Sequence, residues 1–224
     1  MKGLVTIVGC GSVGGAIADM LARENYSRNY CLIDPDRMEP KNLKRHVLDH
    51  VGVHKVRGVG DHLKRISTCT TLEMSARFES YPHSDLVVCA VDSHECASLV
   101  NQRLLEDGTT GVFVSIWGDG KVGEIQVVKP GFPCYNCWAT GRHDEKTVQA
   151  YTNPNAPHSS SRIECTWGRV LIVASVAAEI ILNRSWEPLR LVNVCDPDLP
   201  AGMTSVKVEN GCAVCDSSRL TFRE

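Results

Sequence analysis

A doubly wound α/β sheet, mostly parallel with an antiparallel C-terminal extension, is the fold class predicted for this 224-residue sequence, and three observations predict it. An apolar, β-branched run, Leu4-Val5-Thr6-Ile7-Val8, leads into a glycine-rich turn and then a helical pattern. Runs of that kind form strands buried on both faces of a parallel sheet. Strand and helix patterns then alternate as βαβ units do. Beyond Gly111, two strand-like runs flank Asp119-Gly120, the signal of an antiparallel hairpin.

The elements follow in order. Val13, Ile17, Ala18, Met20 and Leu21 recur at helical spacing up to the polar Glu24-Asn25-Tyr26-Ser27 turn, and Tyr30-Cys31-Leu32-Ile33 makes a second strand closed by Asp34. Residues 35–54 are polar, carry two prolines and read as a long loop broken by short helical turns. Lys55–Ile66 has helical composition despite two glycines. Thr70–Phe78 alternates loosely as a strand, Asp85–Val91 is an apolar strand ending at Asp92, and Ala97–Leu105 is a helix. Val112–Trp117 and Val122–Val128 are the hairpin strands. The Asn/Pro/Ser-rich stretch 147–161 lacks periodicity and reads as a flexible loop. A buried helix, Arg169–Asn183, and two strands, Leu189–Cys195 and Thr204–Val208, complete the chain.

Composition excludes several classes. With 24 Lys+Arg against 26 Asp+Glu and a pI near 6.4, the chain has no overall electrostatic attraction to nucleic acid or an anionic membrane, so neither is expected as a partner. At 43% hydrophobic and 22% charged it is a globular sequence, not a disordered one. Val170–Leu182 is interrupted by Glu179 and falls short of the ~20 residues of a membrane span. The apolar run before Cys10 is shorter than the ~7–15 residues of a signal core. A reducing cytoplasm is the expected compartment, in keeping with eleven cysteines, an odd count that argues for free thiols or a metal site over a paired disulfide framework.

Three motifs carry chemistry. Gly9-x-Gly11-x-x-Gly14 lies between a strand and a helix, where Gly9 permits the tight turn, Gly11 admits a ligand to the backbone and Gly14 allows close helix packing. Asp34, 23 positions after Gly11, lies where a carboxylate meets ribose hydroxyls. The motif does not choose the nucleotide. Cys134-Tyr135-Asn136-Cys137 and Cys212-Ala213-Val214-Cys215 offer four thiolates for a closed, structural Zn²⁺ site. A redox reading of either pair is disfavoured because neither is expected to open a helix after a strand. Finally Asp34-Pro35-Asp36, Asn42-Leu43-Lys44-Arg45, Lys55 and Asp92 bring carboxylates and cations to strand C-termini, a set suited to Mg²⁺ and a triphosphate.

These residues resemble the ThiF/MoeB/E1 superfamily, the ATP-dependent activators of ubiquitin-like and sulfur-carrier proteins. The pattern is Gly9-Cys10-Gly11-Ser12-Val13-Gly14, Asp34-Pro35-Asp36, Asn42-Leu43-Lys44-Arg45, Val51-Gly52 followed by Lys55, Cys89-Ala90-Val91-Asp92-Ser93 and both Cys pairs, spanning nearly the whole chain. The resemblance implies one Rossmann-type adenylation domain over 1–224, with a nucleotide-binding half 1–110, a mixed-strand half 111–224 and a crossover loop about 147–161. It also implies that Gly9, Gly11 and Gly14 cradle ATP, that Asp34 binds ribose with Asp36 beside it, and that Asn42, Arg45 and Lys55 address phosphates while Asp92 holds Mg²⁺. The implied reaction is adenylation of a partner's C-terminal glycine, with thioester formation or sulfur transfer as candidate next steps.

Cys165 lies near the family's reactive cysteine and would gain thiolate character at a helix N-terminus beside Arg162 and Arg169. A homodimer and an E2-like partner are further implications. The family's usual helices and arginine before the first strand have no counterpart ahead of Leu4, so either another element supplies that charge, or a partner does, or the phosphate chemistry is weakened. Three rivals share parts of the pattern. They are an NAD-dependent oxidoreductase, an E1-like tRNA-modifying dehydratase and a non-catalytic module that binds a ubiquitin-like protein. None of the eight histidines forms a ligand-spaced set, and none is assigned a role.

Overall fold

The structure is a computed structural model that describes residues 2–117, 120–142, 165–195, 202–205, 212, 214 and 215. One sheet runs through it in the order β3-β2-β1-β4-β5-β6-β7-β8. The strands are β1 (Lys2–Val8), β2 (Ser27–Ile33), β3 (Thr70–Met74), β4 (Leu86–Cys89), β5 (Thr110–Trp117), β6 (Val122–Val128), β7 (Leu189–Asn193) and β8 (Gly202–Ser205). β3 to β5 pair in parallel, and the pairs from β5 to β8 are antiparallel. The mixed sheet expected from the sequence is therefore present.

The helices are α1 (Ser12–Arg23), α2 (Lys55–Ile66), α3 (His94–Asp107), α4 (Tyr135–Arg142) and α5 (Trp167–Asn183), with a 3-10 helix over Pro40–Arg45. Strand alternation divides the core into two layers. Val5 and Ile7 of β1 face Ile17 and Leu21 of α1, Val59 and Leu63 of α2, and Val173 and Ala177 of α5. Val8 faces the other way, towards Val100 and Leu104 of α3 and Tyr135 and Ala139 of α4. Each β1 residue from Val5 to Val8 is fully buried, as the unbroken β-branched run requires.

α2 matches its sequence-predicted bounds because both glycines face neighbours that leave no room for a side chain. A Cβ on Gly58 would stand 2.5 Å from Cδ1 of buried Leu48, and one on Gly60 would overlap Glu73 of β3. Other elements depart from expectation. β3 stops at Met74, β4 at Cys89 and β7 at Asn193, because pairing with β2, β1 and β6 ends there. Cys195 thus lies beyond the sheet and is exposed, not a buried strand residue. α5 buries one side only, and Ile172, Ser175 and Glu179 face outward. Residues 147–161 and 206–208 lie outside the described residues.

Candidate nucleotide site and cysteine cluster

The chain leaves β1 for β2 and β3 on one side and returns to β4 on the other, so the order reverses at the C-terminal ends of β1 and β4. That reversal opens the crevice where ligands sit in doubly wound sheets. Gly9 follows β1 there with φ +88°, and a Cβ on it would meet the Ala90 carbonyl oxygen at 2.5 Å. Gly14 packs so closely that a Cβ would overlap the Gly9 carbonyl, whereas Gly11 has no atom within 4 Å of its Cβ position. Two glycines are thus used for packing and one for access. Gly11 caps α1 without a side-chain partner, so the first-turn N–H groups of α1 face that opening.

Asp34 follows β2 and is 6% exposed. Its Oδ2 accepts the Cys10 N–H at 2.7 Å and its Oδ1 accepts the Asp36 N–H at 2.8 Å, which leaves acceptor capacity on each oxygen. Lys55, the first residue of α2, is 8% exposed and donates from Nζ to Asp36 Oδ2 at 2.6 Å, with Asp34 Oδ1 at 4.0 Å. Burial pushes the Asp34 carboxyl above its ordinary range, while Lys55 and the two N–H donors pull it back. Lys55, expected at the phosphates, is held by carboxylates in this state.

The remaining members of the set are distributed around this pair. Asn42 caps the 3-10 helix, its Oδ1 accepting the Glu39 N–H at 2.9 Å. Arg45 closes that helix, and its charge bears on the Cys165 thiol. Asp92 is exposed, three residues beyond β4 and just before the N-cap Ser93 of α3, so it lies past the strand end where the sequence set it. Burial is the main cause that raises the Cys96 thiol pKa, with Asp92, Glu95 and Asp34 adding to it. Among the described residues the cysteine quartet is the only group of three or more ligand side chains set for a metal. Mg²⁺ here would therefore rest on one or two carboxylates with phosphate and water, its usual coordination.

Cys165 precedes the N-cap Thr166 of α5, as expected, but it is 8% exposed and packs beside Gly120. Burial raises its thiol pKa, and Arg45 and Arg169 only partly counter this. Desolvation thus opposes the thiolate expected at that helix end, while the two cations favour it. Arg162 lies outside the described residues.

The four cysteines Cys134, Cys137, Cys212 and Cys215 come together with all Sγ atoms within 4.8 Å of one another. Four of the separations are 3.8, 3.4, 3.6 and 3.8 Å. A tetrahedral Zn²⁺ with ~2.3 Å bonds sets its sulfurs about 3.8 Å apart, so the cluster fits zinc. One expectation is corrected. Cys134 lies directly before α4 and Cys137 within it, so the first pair opens a helix after a strand and is not confined to a loop. The helix forms because Tyr135 and Ala139 bury against the sheet, with Tyr135 stacked on Phe113 at 4.7 Å. The thiols' company, not their secondary structure, now disfavours the redox reading.

The sequence reading missed what anchors this cluster. Gln126 donates to the Cys134 carbonyl at 2.9 Å and Asn101 accepts the Tyr135 N–H at 2.9 Å, so one peptide group is clamped from β6 and from α3. Ser98 of α3 also donates to Asn136 at 3.2 Å. It also missed His46, whose ring reaches the Cys10 carbonyl at 2.8 Å. No spacing signal marks these polar groups, because their partners lie 8 to 38 residues away in the chain.

Comparison with known proteins agrees with this architecture. The chain is 31% identical over 156 residues to ubiquitin-like modifier-activating enzyme 5 of Oryza sativa subsp. japonica, covering 59% of this chain and 37% of that protein. The Branchiostoma floridae protein of the same name is 30% identical over 172 residues, covering 65% and 42%. The chain thus spans about two fifths of these relatives' length. Among solved structures, E. coli MccB with ATP superposes with a TM-score of 0.75 at 19% identity, covering 95% of this chain and 66% of that one. E. coli MccB with AMPCPP and MccA gives 0.73 at 19% identity, covering 94% and 66%. The ThiF family profile matches residues 2–183, and the chain belongs to the ThiF family.

Proposed function

We propose that the chain adenylates the C-terminal carboxylate of a small protein or peptide, of the ubiquitin-like or sulfur-carrier class and ending in glycine, at the expense of ATP. The observation that carries the reading is the convergence at one crevice of an open glycine turn and the buried Asp34 with Lys55. The relatives' designation as activating enzymes, and the MccB structures with ATP and with MccA, support ATP over a nicotinamide.

In this reading the α1 N-terminus and the Gly9–Gly14 turn receive phosphate, and Asp34 accepts from ribose hydroxyls through its spare lone pairs. Lys55 transfers its ammonium from Asp36 to phosphate oxygens, joined by Arg45 and Asn42. Asp92 would hold Mg²⁺, which supplies neutralising charge on the phosphates when bound. The acceptor carboxylate, pKa about 3.3–3.7, is already ionised and needs no general base. It attacks the α-phosphorus, an O–P bond forms as the bond to pyrophosphate breaks, and an acyl adenylate results. Catalysis then reduces to positioning and charge stabilisation. Zinc on four cysteines has no open position and serves structure. A second copy completing the site, thioester formation on Cys165 or sulfur transfer, and an E2-like recipient are finer parts of the same proposal.

ATP–pyrophosphate exchange with a glycine-terminated acceptor tests it. Exchange that requires the acceptor, and that falls at least tenfold in Arg45→Ala and Lys55→Ala, is the expected result. Binding of a nicotinamide without ATP turnover would overturn it in favour of an oxidoreductase. Calorimetric binding of the acceptor without binding of ATP would instead leave a non-catalytic module.

A further inference from the structure

We infer that His46 is a positioning residue of the nucleotide site, tying the 3-10 helix that carries Arg45 to the glycine turn and making nucleotide affinity sensitive to acid. The inference rests on the reading that this turn binds ATP. His46 is 8% exposed and caps the 3-10 helix, directly after Arg45. Its Nδ1 accepts the Leu48 N–H at 3.1 Å, so the proton of a neutral ring resides on Nε2, which donates to the Cys10 carbonyl at 2.8 Å. Both ring nitrogens are thereby used, and each use assigns the same tautomer.

The Cys10 backbone lies between Gly9 and Gly11, the two most permissive residues of the turn. Two side chains restrain it. Asp34 takes its N–H at 2.7 Å, and His46 binds its carbonyl. The far side of the ring is packed as well. A Cβ on Gly15 of α1 would stand 3.4 Å from His46 Cε1, while buried Leu48, the ring's other partner, packs over Gly58 of α2. Loop 46–48 is thus wedged between two helices, and Arg45 takes its place relative to the turn from the same wedge. Cys10 and His46 are 36 residues apart, so the tie joins two segments that no local pattern connects.

Protonation removes this arrangement. A second proton must go on Nδ1, which then meets the Leu48 N–H with a donor of its own. Burial opposes the cation first, and Lys55 and His62, both on α2, oppose it further, while the Cys10 carbonyl favours it. His62 is itself paired with Asp19 of α1 at 2.6 Å, and Asp19 also holds Arg23. The ring titrates below its ordinary 6.5. The folded state therefore binds fewer protons than the unfolded one, the ring's contribution to stability is complete above pH 6.5, and the tie itself weakens as pH falls through the lowered value.

The test measures ATP affinity by calorimetry from pH 8 to pH 5.5 on the full chain, in wild type, His46→Leu and His46→Gln, with hydrogen exchange of segment 9–15 recorded without nucleotide. His46→Leu should bind ATP about tenfold more weakly at pH 8, the scale of one buried hydrogen bond. His46→Gln keeps a donor and an acceptor and should remain within about threefold. Protonation of the triphosphate weakens binding in every variant alike, so the extra acid loss in wild type over His46→Gln is the quantity expected. Identical acid profiles, or His46→Leu binding like wild type, would overturn the inference. Wild type that binds no ATP, yet shows exchange in segment 9–15 accelerated by His46→Leu, would overturn the ATP reading and the acid-sensitive affinity together while retaining the tie. Exchange unchanged in both variants would remove the tie itself.

Discussion

Asp34 is a carboxylate that the fold holds at a cost and a nucleotide would use. Burial raises its pKa, so the native state retains a proton that the unfolded chain releases, and the folded state loses stability as pH rises above 3.8 towards the raised value. Asp34→Asn is accordingly expected to melt at pH 7 within a few degrees of wild type, since the buried charge is removed with one acceptor kept, while ATP affinity falls at least tenfold by calorimetry. A melting point unchanged together with unchanged affinity would remove Asp34 from the site. Cys165 gives a second residue-level expectation. Its buried, raised thiol should be alkylated more slowly at neutral pH than exposed Cys195, and Cys165→Ala should retain pyrophosphate exchange. Peptide mass mapping after brief iodoacetamide treatment reads the first, and labelling of Cys165 ahead of Cys195 contradicts it. Asp34 and Lys55 were legible because each stands at the end of a recognisable strand or start of a helix. His46 was not, because its significance lies in an acceptor 36 residues away.

At the scale of elements, the two helical glycines of α2 look like propensity defects until their neighbours are known. Gly58→Ala would gain up to about 1 kcal/mol of helix propensity. It would also thrust a methyl against Leu48 Cδ1 at 2.5 Å, in the packed wedge beside the nucleotide turn, and against Val53 Cγ2 at 3.3 Å. Overpacking costs about 1–3 kcal/mol, so the net expectation is a loss of stability of about 1 kcal/mol in urea unfolding, with the slope unchanged. A more stable Gly58→Ala protein would show that Leu48 yields freely. α4 was missed for the opposite reason. Its eight residues carry little periodicity and are preceded by Pro133, so only burial of Tyr135 and Ala139 against β6 and α3 makes the segment a helix.

Over the whole molecule, strand order brings the nucleotide turn to the sheet's switch point, and the cysteine quartet lies on the layer that covers the opposite face of β1 from α1. Cys134 and Cys212 meet at 3.4 Å although they are 78 residues apart. Zinc there would close a long loop, and chelation or Cys137→Ser should release one zinc per chain and lower the melting point by about 10 °C, corresponding to roughly 3 kcal/mol for a chain of this size. Metal analysis and thermal unfolding read this, and a protein with no zinc and no chelator response would refute it. Among the described residues no helix is long and apolar enough to cross a membrane.

Local pattern was enough to establish the alternating α/β class, the bounds of α2, the glycine turn and the four cysteines, because hydrophobic periodicity, positive-φ glycine and ligand spacing act over a few residues. Packing settled the rest. It buried Cys165, turned Asn42 to capping and Lys55 to Asp36, made α4 a helix and drew His46 to Cys10, because desolvation and long-range hydrogen bonding depend on which distant segments the closed sheet brings into contact.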